Sequence, residues 1–574
     1  MQQNPDNTGI RQSRWSPQEK ILILDFGSQT TGLIGRRIRD LGVYTEIIPG
    51  DETLTGALLT GVRGIILSGS PESVYTPKAP VPDPRIYTCG LPLLGICYGL
   101  QRMTADMGGR VEPLSQREYG GVPVQLELPG DSAGLSDQAW RFFAGFDRSI
   151  PLARLIAGNA LPSSSTLTVS FTAWMSHGDT LTQLAAGFRE YGRSSTGFPA
   201  VVIHQDQERR PWFGLQFHPE VSHSERGKEI LAAFVFGVCA CTVSWTMEQY
   251  REQLSASLAE QVGTSPVLLL ISGGVDSTVV GALLLKALDP EQVHLMYMDT
   301  GLMRKDESKT VQSALEGLGA RHLHIVHCET AFLSALKGLE EPEAKRRVIG
   351  DLFITLQEQE VARLGLPDTY FLAQGTLYTD LIESGKGVGK KAHLIKSHHN
   401  VGSPLVKAKR QAGRIIEPLD KLYKDEVRQL GRLLALDEEL VLRHPFPGPG
   451  LAVRILGEVT QEKCAILREA DALYIAELKK RRSPLGKRLY DEIWQAFGVL
   501  LPIRSVGVAG DVRKYGWVLS LRAVVSTDGM TADVYPFPIK DLLEISTLIT
   551  NTVKDIGRVT YDVSSKPPAT IEWE

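Results

Sequence analysis

The chain has 574 residues and a formal net charge of −4, with 43% hydrophobic and 22% charged residues, which is ordinary for a soluble globular protein. This length suffices for about three or four domains, and the charge gives no general reason to expect a nucleic-acid partner. No apolar stretch approaches about 18 residues, so no membrane span is expected. The six cysteines lack paired spacing, which predicts a reducing, cytoplasmic environment rather than a disulfide framework.

The first part of the chain predicts a flexible tail followed by an α/β domain. Residues 1–18 are rich in Gln, Asn, Ser and Pro and have no apolar core of a signal peptide. From there, apolar runs typical of buried strands alternate with a helical pattern, as in an α/β sheet. The strand-like runs are 21–25, 64–68 and 91–96, and the helical pattern covers 33–41. We assign this domain to residues 19–243.

A candidate nucleophile follows one of these strands. The run Leu93–Ile96 leads directly into Gly95-Ile96-Cys97-Tyr98-Gly99, where small residues permit a sharp strand-to-helix turn around the cysteine. At the start of a helix, the dipole favours a thiolate and backbone N–H groups can hold an oxyanion. Cys97 could instead be a small buried core residue.

A base and its orienting group occur together further along the chain. In Phe213–Glu220, His218 and Glu220 are two residues apart, so an extended backbone projects both side chains from the same side. A cysteine nucleophile needs such a base with an orienting group. His218 alone could be an ordinary surface histidine, but together with Cys97 it favours a catalytic arrangement.

Between these motifs, the pattern from about residue 130 to 168 is irregular and ends in Ser163-Ser164-Ser165. It separates the segments Arg117–Gly120 and Trp174–Asp179. We interpret it as a surface insertion.

Three segments together resemble the class I glutamine amidotransferase family: the strand-to-helix turn at Cys97, the run Phe217–Glu220 and the run Ile65–Ser73. The resemblance implies that Cys97 is the nucleophile, His218 its base and Glu220 the orienting group. It also implies roles in the oxyanion hole and in glutamine binding, which fall to Ser70, Tyr98 and Gln101. The family usually has glycine where this chain has Ser70.

A second motif follows the apolar run Leu268–Ile271. Two glycines allow the backbone to curl, so that N–H groups and hydroxyls at a helix start can surround phosphate oxygens. Asp276 can hold a hard cation such as Mg²⁺. A glycine-rich surface turn is the alternative, but the apolar helical pattern at 278–288 argues against it. The motif consists of Ser272, Gly273, Gly274, Val275, Asp276 and Ser277.

The motif is not a Walker loop, and the nearest approach to one, Ser384–Lys391, lacks the first glycine and the hydroxyl. Chemistry at the γ-phosphate of ATP is therefore not favoured. The motif resembles the ATP pyrophosphatase family instead, which implies adenylylation of a substrate oxygen with pyrophosphate as the leaving group. We assign this synthetase domain to residues 244–449, with a helix at 245–258 and a strand at 293–299.

Two other features of this domain have ordinary explanations. The histidines of Arg321–Cys328 alternate, so a strand places only His322 and His324 on one face, and we expect a sheet rather than a metal site. The basic run Lys407–Arg410 is interpreted as a solvated loop rather than a nucleic-acid-binding patch.

The proline-rich run His444–Gly450 predicts a linker. Beyond it, residues 450–574 mix helical and strand patterns. The predicted fold class is therefore α/β, with an amidotransferase domain, a Rossmann-like parallel-sheet synthetase domain and a smaller α+β C-terminal domain.

Several segments outside the catalytic motifs, in their order along the chain, resemble the glutamine-hydrolysing GMP synthase family. They are Leu372–Tyr378, Ile382–Gly385, Ile395–Gly402, His444–Gly450, Asp528–Asp533 and Ser564–Glu574. The resemblance implies an ATP-dependent carbon–nitrogen ligase that adenylylates xanthosine monophosphate (XMP) and aminates it with ammonia from glutamine. It further implies a cytoplasmic homodimer that uses Mg²⁺ with ATP.

The same resemblance implies nucleotide-binding residues. Lys396 would follow the pyrophosphate, and Lys566 and Glu572 would contact XMP, with Arg346 in a basic lid segment. Two alternatives stay open: the same amidotransferase could serve a different adenylylating synthetase, or both folds could form a nucleotide-sensing scaffold. The intact Cys97 and Asp276 argue against a scaffold.

Overall fold

The computed structural model describes residues 19–128, 135–162, 167–204, 211–378, 404–509, 512–526 and 532–574. The predicted tail and Lys396 lie outside these ranges. The described residues divide into two compact units, 19–250 with Tyr378, and 251–377 together with 404–574. This division does not separate the chain at residue 450, so the boundary between synthetase and C-terminal domains stays a prediction. Within these ranges no helix is long and apolar enough to cross a membrane.

The first unit is built on a mixed sheet, which has nine strands within the described residues. The strands are β1 Lys20–Asp25, β2 Thr45–Pro49, β3 Val62–Leu67, β4 Leu93–Ile96, β5 Arg110–Leu128, β6 Leu167–Gln183, β7 Phe188–Ser194, β8 Pro199–His204 and β9 Trp212–Leu215. Their order in the sheet is β2-β1-β3-β4-β9-β8-β7-β5-β6; the part from β2 to β9 is parallel and the remainder antiparallel. The central parallel strands β1 and β4 are fully buried and largely apolar, as expected where helices cover both faces.

The predicted strands and helix of this unit occur within about two residues of their expected bounds. The α-helices are Thr31–Arg39, Gly56–Leu59, Tyr98–Asp106, Asp137–Phe143, Leu152–Ile156 and Gly227–Ala232, with a 3₁₀ helix at Pro84–Tyr87 and a π-helix at Ala233–Val238. The helix Met247–Val262 matches the one expected at 245–258.

The predicted surface insertion is wrong for its described middle part. Residues 137–156 form two helices whose aromatic side chains are buried in the main core, including Phe142, Phe143 and Phe146. The ring centroids of Phe142 and of Phe213 in β9 lie 4.3 Å apart. The irregular pattern concealed a core element because its apolar residues cluster within one short helix and the turn after it.

The second unit contains a parallel sheet of five strands among the described residues: β10 Val267–Ile271, β11 Val293–Asp299, β12 His322–His327, β13 Phe371–Ala373 and β14 Ile415–Ile416. Their order is β12-β11-β10-β13-β14. The strands expected at 268–271, at 293–299 and within 321–328 are present to within one residue of their bounds. The helices are Val275–Ala287, Glu307–Gly317, Glu329–Ala335, Pro342–Arg363, Pro404–Gln411, Lys424–Leu433 and Glu438–Val441.

The basic run at 407–410 is not a loop but part of the helix Pro404–Gln411. Lys409 is buried, and its Nζ lies 3.3 Å from the ring centroid of Tyr370 and donates to the carbonyl oxygen of Asp368. The solvated-loop expectation is therefore wrong for Lys409, whose ammonium group is satisfied inside the protein.

The C-terminal part of the second unit is an α+β layer. The strands are β15 Gln495–Ala509, β16 Val512–Val525, β17 Asp533–Val534 and β18 Ile556–Tyr561, and the helices are Gln461–Lys480, Leu489–Glu492 and Ile539–Thr552. β15 and β16 pair antiparallel, β17 extends the sheet, and β18 pairs parallel with β16. Before this layer, residues 443–447 form neither helix nor strand, but His444 is buried and stacks on Tyr490 with ring centroids 3.9 Å apart.

Candidate functional site

Cys97 lies on a strained turn between β4 and the helix Tyr98–Asp106. Its φ of 52° and ψ of −108° are unusual for a residue with a side chain, a strain that tends to occur at functional sites. The turn needs glycine on both sides. A Cβ at Gly95 would lie 2.6 Å from the backbone nitrogen of Leu100, and one at Gly99 would lie 2.3 Å from the carbonyl oxygen of Leu67.

The structure brings Cys97, His218 and Glu220 together, as the sequence predicts; their roles stay predictions. His218 follows β9, and its Nδ1 lies 2.7 Å from Oε1 of the fully buried Glu220. Burial disfavours the imidazolium, but the negative charge of Glu220 and hydrogen bonds with Cys97 and Glu220 outweigh it and raise the pKa of His218 well above its usual value. This arrangement favours transfer of the thiol proton to His218.

The loop after β3 adjoins the proposed base. A Cβ at Gly69 would lie 3.2 Å from Cε1 of His218, and the hydroxyl of Ser70 accepts a hydrogen bond from the N–H of Glu72. Tyr98 is the first helical residue, so its N–H has no carbonyl partner one turn earlier within the helix. Both predicted oxyanion donors therefore belong to backbone segments that flank the turn.

Gln101 is buried one turn into the same helix. Its Nε2 donates to the carbonyl oxygen of Asp179 at 2.8 Å and to Oε1 of Gln216 at 3.4 Å. In this structure its amide therefore ties the helix to neighbouring strands, and its role in glutamine binding stays a prediction.

Sequence reasoning missed a second histidine–carboxylate pair on β5 and β6. Nε2 of His177 lies 2.9 Å from Oε2 of Glu118, and Nδ1 of His177 lies 2.9 Å from the carbonyl oxygen of Asp179. Burial opposes ionisation of Glu118, but hydrogen bonds from His177 and Thr196 lower its pKa. The available signal was that Glu118 and His177 occur in the segments Arg117–Gly120 and Trp174–Asp179, which flank the irregular stretch.

The second candidate site is the loop after β10. Gly273 has a φ of 78°, which favours glycine, and Gly274 precedes the helix that begins at Val275. The loop is closed by its own hydroxyls, because Ser277 Oγ accepts from the N–H of Ser272 at 3.2 Å and lies 3.1 Å from Ser272 Oγ. The curled backbone and the helix start form the predicted anion-binding geometry.

Two positively charged side chains from distant segments of the chain, Lys424 and Arg443, contact this loop. Nζ of Lys424 lies 2.6 Å from both carboxylate oxygens of Asp276, and Arg443 donates to the carbonyl oxygen of Gly273 at 2.6 Å while also pairing with Glu307. Burial, reinforced by the charge of Arg304, lowers the pKa of Arg443 to about 10. No local pattern indicated Lys424, which is 148 residues from Asp276 along the chain.

The segment Leu372–Tyr378 also reaches the loop. A Cβ at Gly375 would lie 3.3 Å from the backbone nitrogen of Ser277 and 3.5 Å from Cβ of Asp276. Thr376 donates to Glu417 at 2.8 Å. One of the segments that carries the family resemblance is thus adjacent to the predicted phosphate site.

The predicted nucleotide-binding residues lie on or beside the C-terminal segment. Glu572 pairs with the buried Arg454 at 2.8 Å and accepts from Gln495 Nε2 at 2.7 Å. Arg346 donates to the main-chain carbonyl oxygen of Glu574. The backbone of Lys566 pairs with Ala532. Their contacts with XMP stay predictions.

Three family models match this chain in succession. Glutamine amidotransferase class-I matches residues 22–238, asparagine synthase matches residues 249–342, and the GMP synthase C terminal domain matches residues 485–573. These matches support an amidotransferase domain followed by an ATP pyrophosphatase domain.

Whole-length relatives are described as GMP synthase [glutamine-hydrolyzing]. The relative from Rhodopseudomonas palustris is 46% identical over 560 residues, covering 97% of this chain and 95% of its own. That from Enterococcus faecalis is 44% identical, covering 97% and 98%. That from Methylobacillus flagellatus is 43% identical, covering 97% and 100%. With such identity over almost its whole length, the chain belongs to the glutamine-hydrolysing GMP synthase family.

Proposed function

We propose that this chain makes GMP from XMP, ATP and glutamine, with AMP, pyrophosphate and glutamate as the other products. The observation that most directly supports this proposal is the similarity along almost the whole chain to relatives named for this activity. The two candidate sites supply the two chemistries that the reaction requires, one on each compact unit.

The amide step is assigned to Cys97. Its thiolate attacks the carboxamide carbon of glutamine after the proton passes to His218, and the N–H of Tyr98 and the loop at Ser70 stabilise the oxyanion. His218 returns the proton to the departing ammonia. It then takes a proton from the water that hydrolyses the thioester, which releases glutamate. Glu220 holds the imidazole and stabilises its charged form.

The adenylylation step is assigned to the loop Ser272–Ser277. The 2-oxygen of XMP attacks the α-phosphorus of ATP, and the loop N–H groups and hydroxyls hold the departing pyrophosphate. Ammonia then adds at the activated carbon, and AMP leaves. Lys396 is proposed to stay in contact with the pyrophosphate as it leaves.

Mg²⁺ is the cation proposed to accompany ATP. The carboxylate of Asp276 fits this role, because it stands in the first turn of the helix and already attracts a cation, Lys424, to both of its oxygens. When bound there, Mg²⁺ would neutralise charge on the phosphates.

The nucleotide site is proposed to include Arg346, Lys566 and Glu572. We also propose that the chain is a cytoplasmic homodimer that associates through residues 450–574. Sedimentation equilibrium of the full chain tests this association: a mass of twice that of the chain would support it, and the mass of a single chain would contradict it.

The activity is tested by incubating the protein with ATP, Mg²⁺, amide-¹⁵N-labelled glutamine and a panel of nucleotides that includes XMP, and then identifying the product by mass spectrometry. We expect ¹⁵N in GMP and stoichiometric AMP. Labelling of a different acceptor would favour another adenylylating synthetase. No labelled product, with ATP intact, would favour a nucleotide-binding scaffold.

A further inference from the structure

Gln216 contacts the sulfur of Cys97 directly. Its Nε2 lies 3.8 Å from Sγ, within the range of a hydrogen bond to sulfur, and its side chain is fully buried. This contact is separate from that of His218. The sulfur also faces the carbonyl oxygen of Ser176 at 3.9 Å.

The strand register explains why these two side chains meet. β4 and β9 pair in parallel with Ile96 opposite Leu215, and the N–H of Cys97 donates to the carbonyl oxygen of Leu215 at 2.7 Å. Cys97 and Gln216 are therefore the next residues in register at the carboxyl ends of adjacent strands. Residues opposite each other on paired strands project to the same face of the sheet.

The amide of Gln216 has a fixed orientation. Its Oε1 accepts from Gln101 Nε2 at 3.4 Å, so its Nε2 is the end directed at the sulfur. Gln101 is held in turn by the carbonyl oxygen of Asp179, which also lies 2.9 Å from Nδ1 of His177. If the amide were reversed, Oε1 of Gln216 would face the sulfur, as the carbonyl oxygen of Ser176 already does. A thiolate at this position would then have two oxygen acceptors beside it and one fewer hydrogen-bond donor.

We propose that Gln216 is a second hydrogen-bond donor to the thiolate of Cys97, which it stabilises together with His218. A thiolate accepts such a bond more strongly than a thiol does, so the contact strengthens as the sulfur ionises. The bond also holds the side chain of Cys97 on the strained turn. This inference rests on the proposed glutamine hydrolysis at Cys97.

The other ionisable groups near the sulfur are paired with one another, so Gln216 is the donor available besides His218. His218 faces it from the segment after β9 and is paired with Glu220. On the side of β6 and β5, His177 and Glu118 are paired with each other, and the hydrogen-bond partner of the sulfur there is the carbonyl oxygen of Ser176, which cannot donate to a thiolate. Among the described residues, the amide of Gln216 and the imidazole of His218 are the side-chain donors that contact Cys97.

The test is the rate at which iodoacetamide alkylates Cys97 in the full chain, followed by mass spectrometry as a function of pH, because this rate reports the thiolate whether or not glutamine is a substrate. Gln216→Met keeps the volume and removes the donor. In this variant we expect the pH midpoint of Cys97 alkylation to rise by about one unit relative to wild type. The glutaminase kcat should fall by about tenfold, and the KM for glutamine should stay within about twofold of the wild-type value. Thr180→Val is the matched control, because its buried hydroxyl has no hydrogen-bond partner among the described residues.

Gln216→Glu keeps the size and the acceptor for Gln101 but faces the sulfur with a carboxylate. We expect its midpoint to rise at least as far as that of Gln216→Met. A midpoint equal to wild type in both variants, or a loss confined to KM, would overturn the proposal. Wild-type protein that alkylates normally but releases no glutamate would instead contradict the proposed function.

Discussion

Both carboxylate oxygens of Asp276 lie 2.6 Å from Nζ of Lys424, so the acidic group of the phosphate loop is held by a lysine at the start of the helix Lys424–Leu433. The two side chains are partly exposed, at 26% and 42%. An exposed pair of this kind contributes little to stability. We interpret the pair as part of the proposed ATP site rather than as a contribution to stability.

Replacing Asp276 by Asn should remove GMP synthesis with glutamine and with ammonium salts alike. The carboxylate belongs to the proposed adenylylation site, which both nitrogen sources would use. The measurement is GMP formation with each nitrogen source, accompanied by the iodoacetamide reactivity of Cys97 as a control for the amidotransferase unit. Ammonia-dependent turnover at the wild-type rate would show that this loop is not the ATP site.

Replacing Cys97 by Ala should have the complementary effect. Glutamine-dependent synthesis is lost because the nucleophile is gone, whereas ammonium salts still support GMP formation, since the adenylylation site lies in the other compact unit. Steady-state assays with both nitrogen sources measure this. An equal loss with both would refute the division of labour between the two units.

Replacing Glu220 by Gln should change the pH dependence of the amide step. The charge of Glu220 raises the pKa of His218 against the opposing effect of burial, so its removal lets burial dominate and the pKa falls. Less imidazolium is then available near neutral pH to stabilise a thiolate. We expect slower iodoacetamide inactivation below pH 7 and a glutaminase kcat lower by about tenfold or more.

An inactivation profile of Glu220→Gln that matches wild type would contradict this electrostatic role. Glu225→Gln is a suitable control, because that carboxylate pairs with Arg148 at the surface and does not contact His218 in the described structure.

Replacing Lys566 by Ala should raise the apparent KM for XMP by about tenfold or more, since a charge-assisted contact to phosphate is typically worth about 1.5–3 kcal/mol. The KM for ATP should change much less. Lys540→Ala, which removes an exposed lysine of the same domain, is the control. A folded Lys566→Ala variant with an unchanged KM for XMP would leave the C-terminal segment with a structural role.

Replacing Glu572 by Gln should also destabilise the fold, because it leaves the fully buried guanidinium of Arg454 without a counter-charge. Arg304 lies close enough for like-charge repulsion: burial first, and then the charge of Arg454, lower its pKa to about 10. We expect a loss of about 3 kcal/mol in the free energy of unfolding, measured by urea denaturation. In the double variant with Arg454→Met, part of this loss should be recovered; strict additivity would show that the two groups are not coupled.

Sequence patterns were informative where the chemistry is local. Cys97 and the loop Ser272–Ser277 each follow a buried apolar strand and precede a helix, and these neighbours along the chain determine the turn. His218 and Glu220 are two residues apart on an extended segment. The family resemblance could also be recognised in the sequence, because its motifs are short runs in a defined order.

The tertiary structure alone decided the contacts between distant residues. Gln216 meets the sulfur of Cys97 because β4 and β9 are neighbours, and Lys424 meets Asp276 across 148 residues. Phe142 is buried although its segment is irregular, and Lys409 is buried although its run is basic. Periodicity and composition describe the surroundings of a residue along the chain, whereas burial and pairing depend on which elements pack against it, so these outcomes required the folded arrangement.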